Sequence, residues 1–456
     1  MARGKKRAKE LTPEEKLTQA LVPIEEQPYQ IPENWCWTYM NRVAQWGSGG
    51  TPSRKNPEYY KGYIPWIKTG ELNDGYVYDT EEKITDEAIA CSSAKIFPAN
   101  TIAIAMYGAT IGKVGILGME AATNQACACG ICLEALAYKF LFYYARSQKG
   151  AFIGKAKGGA QPNISQEIIK THFIPLPPLA EQQRIVDRIE SIFAKLDEAK
   201  ERAQEVVDGF EMRKSAILHK AFTGELTEKW REEQGVTLES WKEGSIDAIC
   251  NSLKYGTAQK SKKEGTVVVI RMGNLQQGEI DWSDLAYSDD QDDIEKYQLD
   301  NGDVLFNRTN SAALVGKTSI YRGEYPAIYA GYLIKLDYNH DIITGDFLNY
   351  ALNTNNAKEY CNLVKTDGVN QSNINAKKIG AYVIPIPSIR EQKEVVRIVK
   401  KLIVKEKQAK EVAQAAVDQI DVMKKAVLAR AFRGELGTND PEEESAVELL
   451  KSVINL

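Results

Sequence analysis

Residues 172–226 read HFIPLPPLAEQQRIVDRIESIFAKLDEAKERAQEVVDGFEMRKSAILHKAFTGEL, and residues 382–436 read YVIPIPSIREQKEVVRIVKKLIVKEKQAKEVAQAAVDQIDVMKKAVLARAFRGEL. They align without a gap at an offset of 210, with 22 of 55 positions identical. That period is too long for a solenoid, so it marks a duplicated unit of about one domain plus one long helix. In the first copy apolar residues step by four and three through Ile185, Ile189, Ile192, Leu196, Ala199, Ala203, Val206 and Phe210, and reach Ile217 after Arg213. The second copy gives Val395, Val399, Leu402, Ala409, Ala413, Ala416, Ile420, Met423 and Val427, with Glu406 interrupting and Ile403 able to substitute. Both are heptad seams, and a helix of about 40 residues would run roughly 60 Å.

The helix entrances carry Pro175, Pro177 and Pro178, and Pro385 and Pro387. Proline lacks the donor that a helix interior needs, so these stretches are expected to be extended. The exits, Ala221-Phe222-Thr223-Gly224 and Ala431-Phe432-Arg433-Gly434, place glycine where a left-handed cap would sit. Matching seams predict an intramolecular coiled coil. The alternative is two amphipathic helices, each packed on its own domain.

Outward from the repeats, the halves correspond more loosely. Gly50-Thr51 resembles Gly256-Thr257; Ile67–Leu72 resembles Ile270–Leu275; Gly112-Lys113 resembles Gly316-Lys317; Gly159–Ile164 resembles Gly368–Ile374. Residues 33–179 and 238–389 read as mixed α/β domains, giving an α+β chain. Thr101–Met106, Val267–Met272 and Tyr332–Leu336 are strand-like, and 135–150 and 346–361 are helical. The expected division is an N-terminal arm (1–32), a first domain (33–179), a helix (180–230), a second domain (238–389), a helix (390–436) and an acidic tail (437–456). The tail run Asp440–Glu444 is expected to be solvated, with Ala446–Ile454 a short helix.

Composition narrows the function. With 43% hydrophobic and 26% charged residues, the chain is of ordinary globular type. Lys plus Arg is 58 and Asp plus Glu is 62, which excludes a globally basic nucleic-acid binder but not a locally basic surface. Seven cysteines in 456 residues are no disulfide scaffold. The start Met1–Arg7 is basic with no apolar stretch behind it, and Thr101–Met119 is broken by Lys113 and glycines. Neither a signal peptide nor a membrane span is expected, and cytoplasm is the default.

No complete catalytic set emerges. Asn56-Pro57-Glu58-Tyr59 lacks the second proline of an adenine-methyltransferase motif, and no donor-binding glycine loop follows a strand. A phosphate-binding loop needs glycine five residues before Gly-Lys, where this chain has Ser311 and Tyr107. Cys127, Cys129 and Cys132 have no fourth ligand nearby, so buried thiols are the better reading. Of the three histidines, His172 and His219 face Tyr382 and Ala429 in the repeat, and His340 stands alone. No catalytic residue, metal or cofactor is expected.

The doubled IPLPPLAEQQRIV and IPIPSIREQKEVV, each leading into a long helix that closes with AFTGEL or AFRGEL, resembles the specificity subunit of Type I restriction–modification enzymes over about residues 33–436. The resemblance implies two target-recognition domains, each reading one half of a bipartite double-stranded DNA sequence. It implies that the two long helices pack antiparallel, hold the domains apart and set the gap between half-sites. It further implies a phage-defence complex with two modification (methyltransferase) subunits and two restriction (translocase/nuclease) subunits, which carry the DNA methylation, translocation and cleavage.

Reading DNA takes Lys and Arg for phosphates, and Arg, Asn, Gln, Ser or Lys for base edges. In the first domain the candidates are Ser53, Arg54 and Lys55; Lys68 and Thr69; Tyr107, Thr110 and Lys113; and Gln161 with Asn163. In the second they are Gln259, Lys260 and Lys262; Arg271 with Asn274; Asn307, Arg308, Thr309, Asn310 and Ser311, with Lys317; and Asn370, Gln371, Ser372 and Asn373. The run 307–311 is the sharpest, because Arg308 can bond guanine bidentately. Asp281–Asp303 holds nine acids against one base, Lys296, so it is expected to lie away from DNA or on a partner-facing surface. The other reading is a coiled-coil scaffold whose heads bind proteins.

Overall fold

The computed structural model describes residues 12–158, 162–369 and 371–454. They form two compact units, one running up to Arg202 and resuming at Ala416, the other Ala203–Ala415. The boundaries cut both long helices, so each unit holds one head, half of its own helix and half of the other helix.

In the first unit a five-stranded sheet runs in the order Ala44–Ser48, Cys127–Cys132, Ile102–Ala105, Val114–Leu117, Gly75–Val77. A second sheet runs Lys83–Ile84, Ile64–Ile67, Ala121–Thr123, Ile96–Phe97, its middle pair parallel. The second unit repeats this order, less the last strand of each sheet, with Cys250–Tyr255, Leu333–Tyr338, Val304–Asn307 and Thr318–Ile320, then Tyr287–Ser288, Val267–Ile270 and Ala327–Tyr329. The duplication read in the helices therefore extends through both heads. The helical stretch expected at 135–150 forms Tyr138–Ser147 and Lys149–Gly154, and that at 346–361 forms Gly345–Leu352 and Asn355–Val364.

The proline-rich entrances are extended, as their chemistry requires. Phe173–Leu176 pairs antiparallel with Cys36–Tyr39, and Val383–Ile386 with Lys242–Ser245. The helices that follow are Leu179–Asp208, continued by Phe210–Phe222, and Ile389–Ala431. Gly224 (φ +83°) and Gly434 (φ +73°) hold the left-handed turns at their ends. A Cβ on Gly434 would stand 2.4 Å from Pro32 Cγ, so close approach as well as backbone hand requires glycine there.

The repeated Glu-Gln pair explains how each helix is fixed. Gln182 Nε2 donates to the carbonyls of Ala135 (2.9 Å) and Pro177 (3.0 Å), and its Oε1 accepts from Ala137 N–H (2.8 Å). Gln392 does the same with Ile342, Pro387 and Thr344. Glu391 accepts from Thr227 Oγ1, Arg231 Nη1 (both 2.7 Å) and Trp241 Nε1 (2.9 Å). Glu181 accepts from Trp35 Nε1 (2.7 Å) and Asn439 Nδ2 (2.8 Å). All four side chains are buried.

Within each unit the helices run antiparallel. In the first, Lys200 pairs with Asp421 (2.7 Å) and Lys424 with Asp197, while the Lys424 ammonium lies 5.0 Å from the Phe193 ring centre. In the second, Lys410 lies 4.9 Å from the Phe210 ring centre, and Arg213 bonds Glu406 at 2.6 Å. The two residues that interrupt the apolar seams thus meet each other, a pairing that fixes register as buried polar groups do in coiled coils. The seam keeps many of its expected positions, with Ile185, Ile189, Phe210, Val395, Val399, Ala413 and Ile420 buried, and shifts by a position at others. Val417 and Leu428 are buried whereas Ala409, Ala416 and Met423 are exposed, and Phe193 is more deeply buried than Ile192. A straight helix drifts about 20° per heptad against a 3.5 repeat, enough to move the contact by a position.

The acidic tail is not merely solvated. Arg184 holds Glu443 with two 2.8 Å bonds, Asn34 O accepts from Ala446 N–H, and the helix Ala446–Val453 puts Ala446 and Leu450 into the core of the first unit. The arm contributes the helix Pro13–Ala20, closed by Thr12 in a capping box. Thr38 Oγ1 donates to its last carbonyl, that of Ala20.

Candidate nucleic-acid interface

In the first head the structure gathers the candidates into two groups. Tyr107 and Lys157 both bridge to Asn163, which joins the turn at Gly108–Thr110 and Lys113 to the segment near Asn163. Thr110 Oγ1 closes that turn on Tyr107 O (2.7 Å). The second group holds Ser53, Arg54 and Lys55 with Lys68 and Thr69. The Arg54 guanidinium lies 4.0 Å from the Tyr60 ring centre and 5.2 Å from that of Trp66, and pairs with Glu82 at 2.7 Å. Lys68 Nζ bonds Glu81 (2.8 Å) and Glu82 (3.2 Å). Arg54 and then Lys68 hold the Glu82 carboxyl below its usual range, and Glu81 with Glu82 raises the Lys68 ammonium. Ser53, Arg54, Lys55, Tyr107 and Asn163 are exposed, and Lys68, Thr69, Thr110 and Lys113 half-buried. Gln161 lies outside the described residues.

In the second head the run after Val304–Asn307 builds a small sheet of its own. Thr309–Asn310 pairs with Ser372–Asn373, which pairs with Thr366–Asp367. Arg308 stands beside it. Its guanidinium is 4.8 Å from the Tyr255 ring centre, with long bonds from Nη1 to Gly331 O (3.4 Å) and Nη2 to Asn373 Oδ1 (3.3 Å). Its buried Nε has no acceptor. Stacking fixes the plane of the fork while long bonds leave its donors available, which suits an incoming base edge. Lys317 lies on the neighbouring loop and bonds Gln276 Oε1 (3.1 Å). Gln259, Lys260, Lys262, Ser311 and Gln371 are exposed, and Arg271, Thr309, Asn310 and Asn373 half-buried. Asn370 lies outside the described residues.

Three candidates are corrected by burial. Asn307 is fully buried; its Oδ1 accepts from Thr309 N–H (3.3 Å) and shapes the turn. Asn274 is 3% exposed and bonds Arg271 N–H and the carbonyls of Asp281 and Asp284. Ser372 is 2% exposed and donates to Asp367. Each sits in a polar run that reads as surface, yet Asn307 and Asn274 close the backbone of their own loops, and Ser372 is held by the Asp367 side chain across its turn.

The acidic run 281–303 is engaged with candidate cations rather than set apart from them. Asp284 pairs with Arg271 (2.8 Å), and Asp289 with Lys262 (3.1 Å). Sequence reasoning also missed Tyr255 and the Tyr60–Trp66 pair, the aromatic supports of Arg308 and Arg54. Short stacking partners across a sheet leave no periodic signal in the chain.

Among the described residues, no group of three His, Cys, Asp or Glu side chains is placed to hold a metal ion, and no helix is long and apolar enough to cross a membrane. His172 is buried against Phe152 beside Lys155 and Gln148. Burial, then Lys155, lowers its pKa to about 4.

Two like heads with unlike polar loops, on repeated helices, define a duplicated recognition module, and comparison with known proteins places it. The family described as the Type I restriction modification DNA specificity domain matches twice, over residues 32–207 and 238–414, and the chain belongs to it. Its class is therefore the DNA specificity subunit, the non-catalytic part of a Type I restriction–modification assembly, with two target-recognition domains. The chain is 25% identical over 449 residues to the Type I restriction enzyme EcoKI specificity subunit of Escherichia coli K12, covering 93% of this chain and 96% of that one. It is 25% identical over 421 residues to the StySPI specificity subunit of Salmonella potsdam, covering 89% and 90%. The fold matches the HsdS subunit of Thermoanaerobacter tengcongensis with a TM-score of 0.61 at 18% identity, over 90% of this chain and all of that one. A chain solved in work on complex assembly and conformational transition of the type I R-M system matches at 0.68, also at 18% identity, over 90% and 100%.

Proposed function

We propose that each head reads one half of a bipartite duplex site, the first through the loops at 53–55, 68–69, 107–113 and 163, the second through 259–262, 271, 308–311, 317, 371 and 373. The observation that carries this reading is one strand order used twice, with different side chains at matching loops. Gly-Lys at 112–113 and 316–317 is kept, whereas the run after Ala105 and the run after Asn307 differ. Direct readout needs that combination of a common frame and divergent polar tips. The helices, fixed to the heads by Glu-Gln pairs, set the spacer and dock two modification subunits, and two restriction subunits can join them. Those partners flip and methylate a base in each half-site. The setting is the cytoplasm.

The test is co-expression with the modification subunit encoded beside it, followed by mapping of methylated adenines at single-base resolution. One split motif with a constant gap is expected, altered in one half only when residues 33–179 are exchanged. A stable complex that adds no methylation would refute the reading and favour a protein-binding scaffold. Equal insertions in both helices should change the gap and leave both half-site sequences as they were.

A further inference from the structure

One arrangement recurs in both heads although their loops differ. Lys68 follows Ile64–Ile67, and Arg271 follows Val267–Ile270, the matching strand of the second sheet. Each opens a short 3-10 turn, Thr69–Glu71 and Met272–Asn274. In each, the residue three places on clamps two points of the chain. Glu71 accepts from Lys68 N–H (2.7 Å) and from Glu81 N–H (2.9 Å). Asn274 accepts from Arg271 N–H (2.9 Å) and donates to Asp284 O (2.9 Å). In each, the clamped segment brings an acid 13 residues downstream onto the base. Glu81 meets Lys68 Nζ at 2.8 Å, with Glu82 beside it at 3.2 Å, and Asp284 meets Arg271 Nη2 at 2.8 Å. Base, clamp and acid thus keep one spacing while the residue types change.

Glu81 and Asp284 are both largely exposed on the outer side of the pair, at 79% and 86%. They occupy the place that a phosphate oxygen would take at the same N–O distance. Phosphate contacts supply nearly all non-specific affinity for DNA. A cation that already holds a carboxylate gains little by exchanging it for a phosphate of arbitrary DNA. The exchange goes forward when base contacts elsewhere in the head hold the duplex in place. Exposed ion pairs are weak enough to be displaced in this way.

Resting on the reading of the heads as DNA binders, we propose that Glu81, Glu82 and Asp284 are specificity-determining residues that screen Lys68 and Arg271 from non-target DNA. They touch no base; they set how much of each head's phosphate affinity is open to any sequence.

The experiment uses the full chain assembled with its modification subunits, and two probes: a labelled duplex carrying the mapped site and one of scrambled sequence. Glu81→Gln with Glu82→Gln, and separately Asp284→Asn, keep shape and remove charge. Each is expected to bind the scrambled duplex roughly three- to tenfold more tightly at low salt. The log–log salt slope should steepen by about one per cation released. Target affinity should change less, so the ratio of the two falls. Because Glu82 also holds Arg54 (2.7 Å), adding Lys68→Gln together with Arg54→Gln to the first variant, or Arg271→Gln to the second, should erase the gain. Three results overturn the proposal: an unchanged or weakened scrambled complex, a gain that survives loss of the cation, or loss of target binding alone, which would make the acids positioning residues. If neither duplex binds the wild type or any variant, the reading of the heads falls and this inference falls with it.

Discussion

The Glu of the repeated Glu-Gln pair occupies equivalent buried sites in the two units, yet the same substitution should cost them differently. Glu391 faces three donors on its two oxygens, one of them the Arg231 guanidinium, which is itself 8% exposed. In Glu391→Gln one oxygen becomes an NH2. Whichever way the amide is turned, it points a donor at either Trp241 Nε1 or Arg231. The arginine is also left buried without its counter-charge. Breaking a buried pair costs about 3–5 kcal/mol, and a glutamine that keeps part of the bonding should sit near the lower end, about 3. Glu181 has a gentler geometry. Trp35 and Asn439 both donate to Oε2, and Oε1 meets only the Thr438 hydroxyl at 3.4 Å, a group able to accept as well as donate. Glutamine fits that site with every bond kept, so Glu181→Gln should cost less than about 1 kcal/mol. For a unit of about 210 residues, a 3 kcal/mol loss lowers Tm by roughly 6–12 °C. Calorimetry of the full chain, with hydrogen exchange to assign each transition to its unit, should show the Glu391→Gln transition shifted and the Glu181→Gln transition close to wild type. Equal shifts would refute the argument that the ion pair, rather than burial alone, distinguishes the two sites.

Other expectations follow from single contacts. Arg308→Ala should abolish or relax methylation at one half-site and leave the other sequence intact, as read by single-base mapping; equal loss at both would contradict independent readers. Gln392→Ala takes the Gln392 donor from the buried Pro387 carbonyl and the half-buried Ile342 carbonyl and should cost about 2 kcal/mol in denaturant unfolding, as should Gln182→Ala. His172, held neutral by burial, has its pKa lowered from 6.5 to about 4. Its stabilising effect is full above the unfolded value and is lost as pH falls toward 4, by at most roughly 3 kcal/mol. That slope should flatten in His172→Gln, and a slope unchanged by the substitution would assign it to other groups.

Much of the architecture was legible in the chain because it is written in periodic terms. The apolar steps, the prolines at the helix entrances and Gly224 and Gly434 at the exits each carry a local backbone requirement. The site was legible only by residue type. Asn307, Asn274 and Ser372 have the chemistry of base readers, and nothing in their spacing tells that their side chains turn back to close their own loops. The mate of Arg308 was hidden because Tyr255 lies across a sheet from it. Glu81 and Asp284 did leave a signal, an acid 13 residues after a base in both halves, but it appears only once Lys68 and Arg271 are aligned at the offset of the heads rather than that of the helices. The tail was legible in part: of its four acids at 440–444, three are exposed and a short helix follows, but nothing in the run tells that Arg184 holds Glu443 or that the apolar side of that helix enters the core of the first unit.

That tail has a genetic consequence. Ala446 and Leu450, which follow the second head in the chain, lie in the same core as Trp35 and Met40, which precede it. A premature stop shortly after codon 436 would spare every residue of the second head. The damage would appear in the head translated before it, whose core would wait for residues made after the second head before it could close.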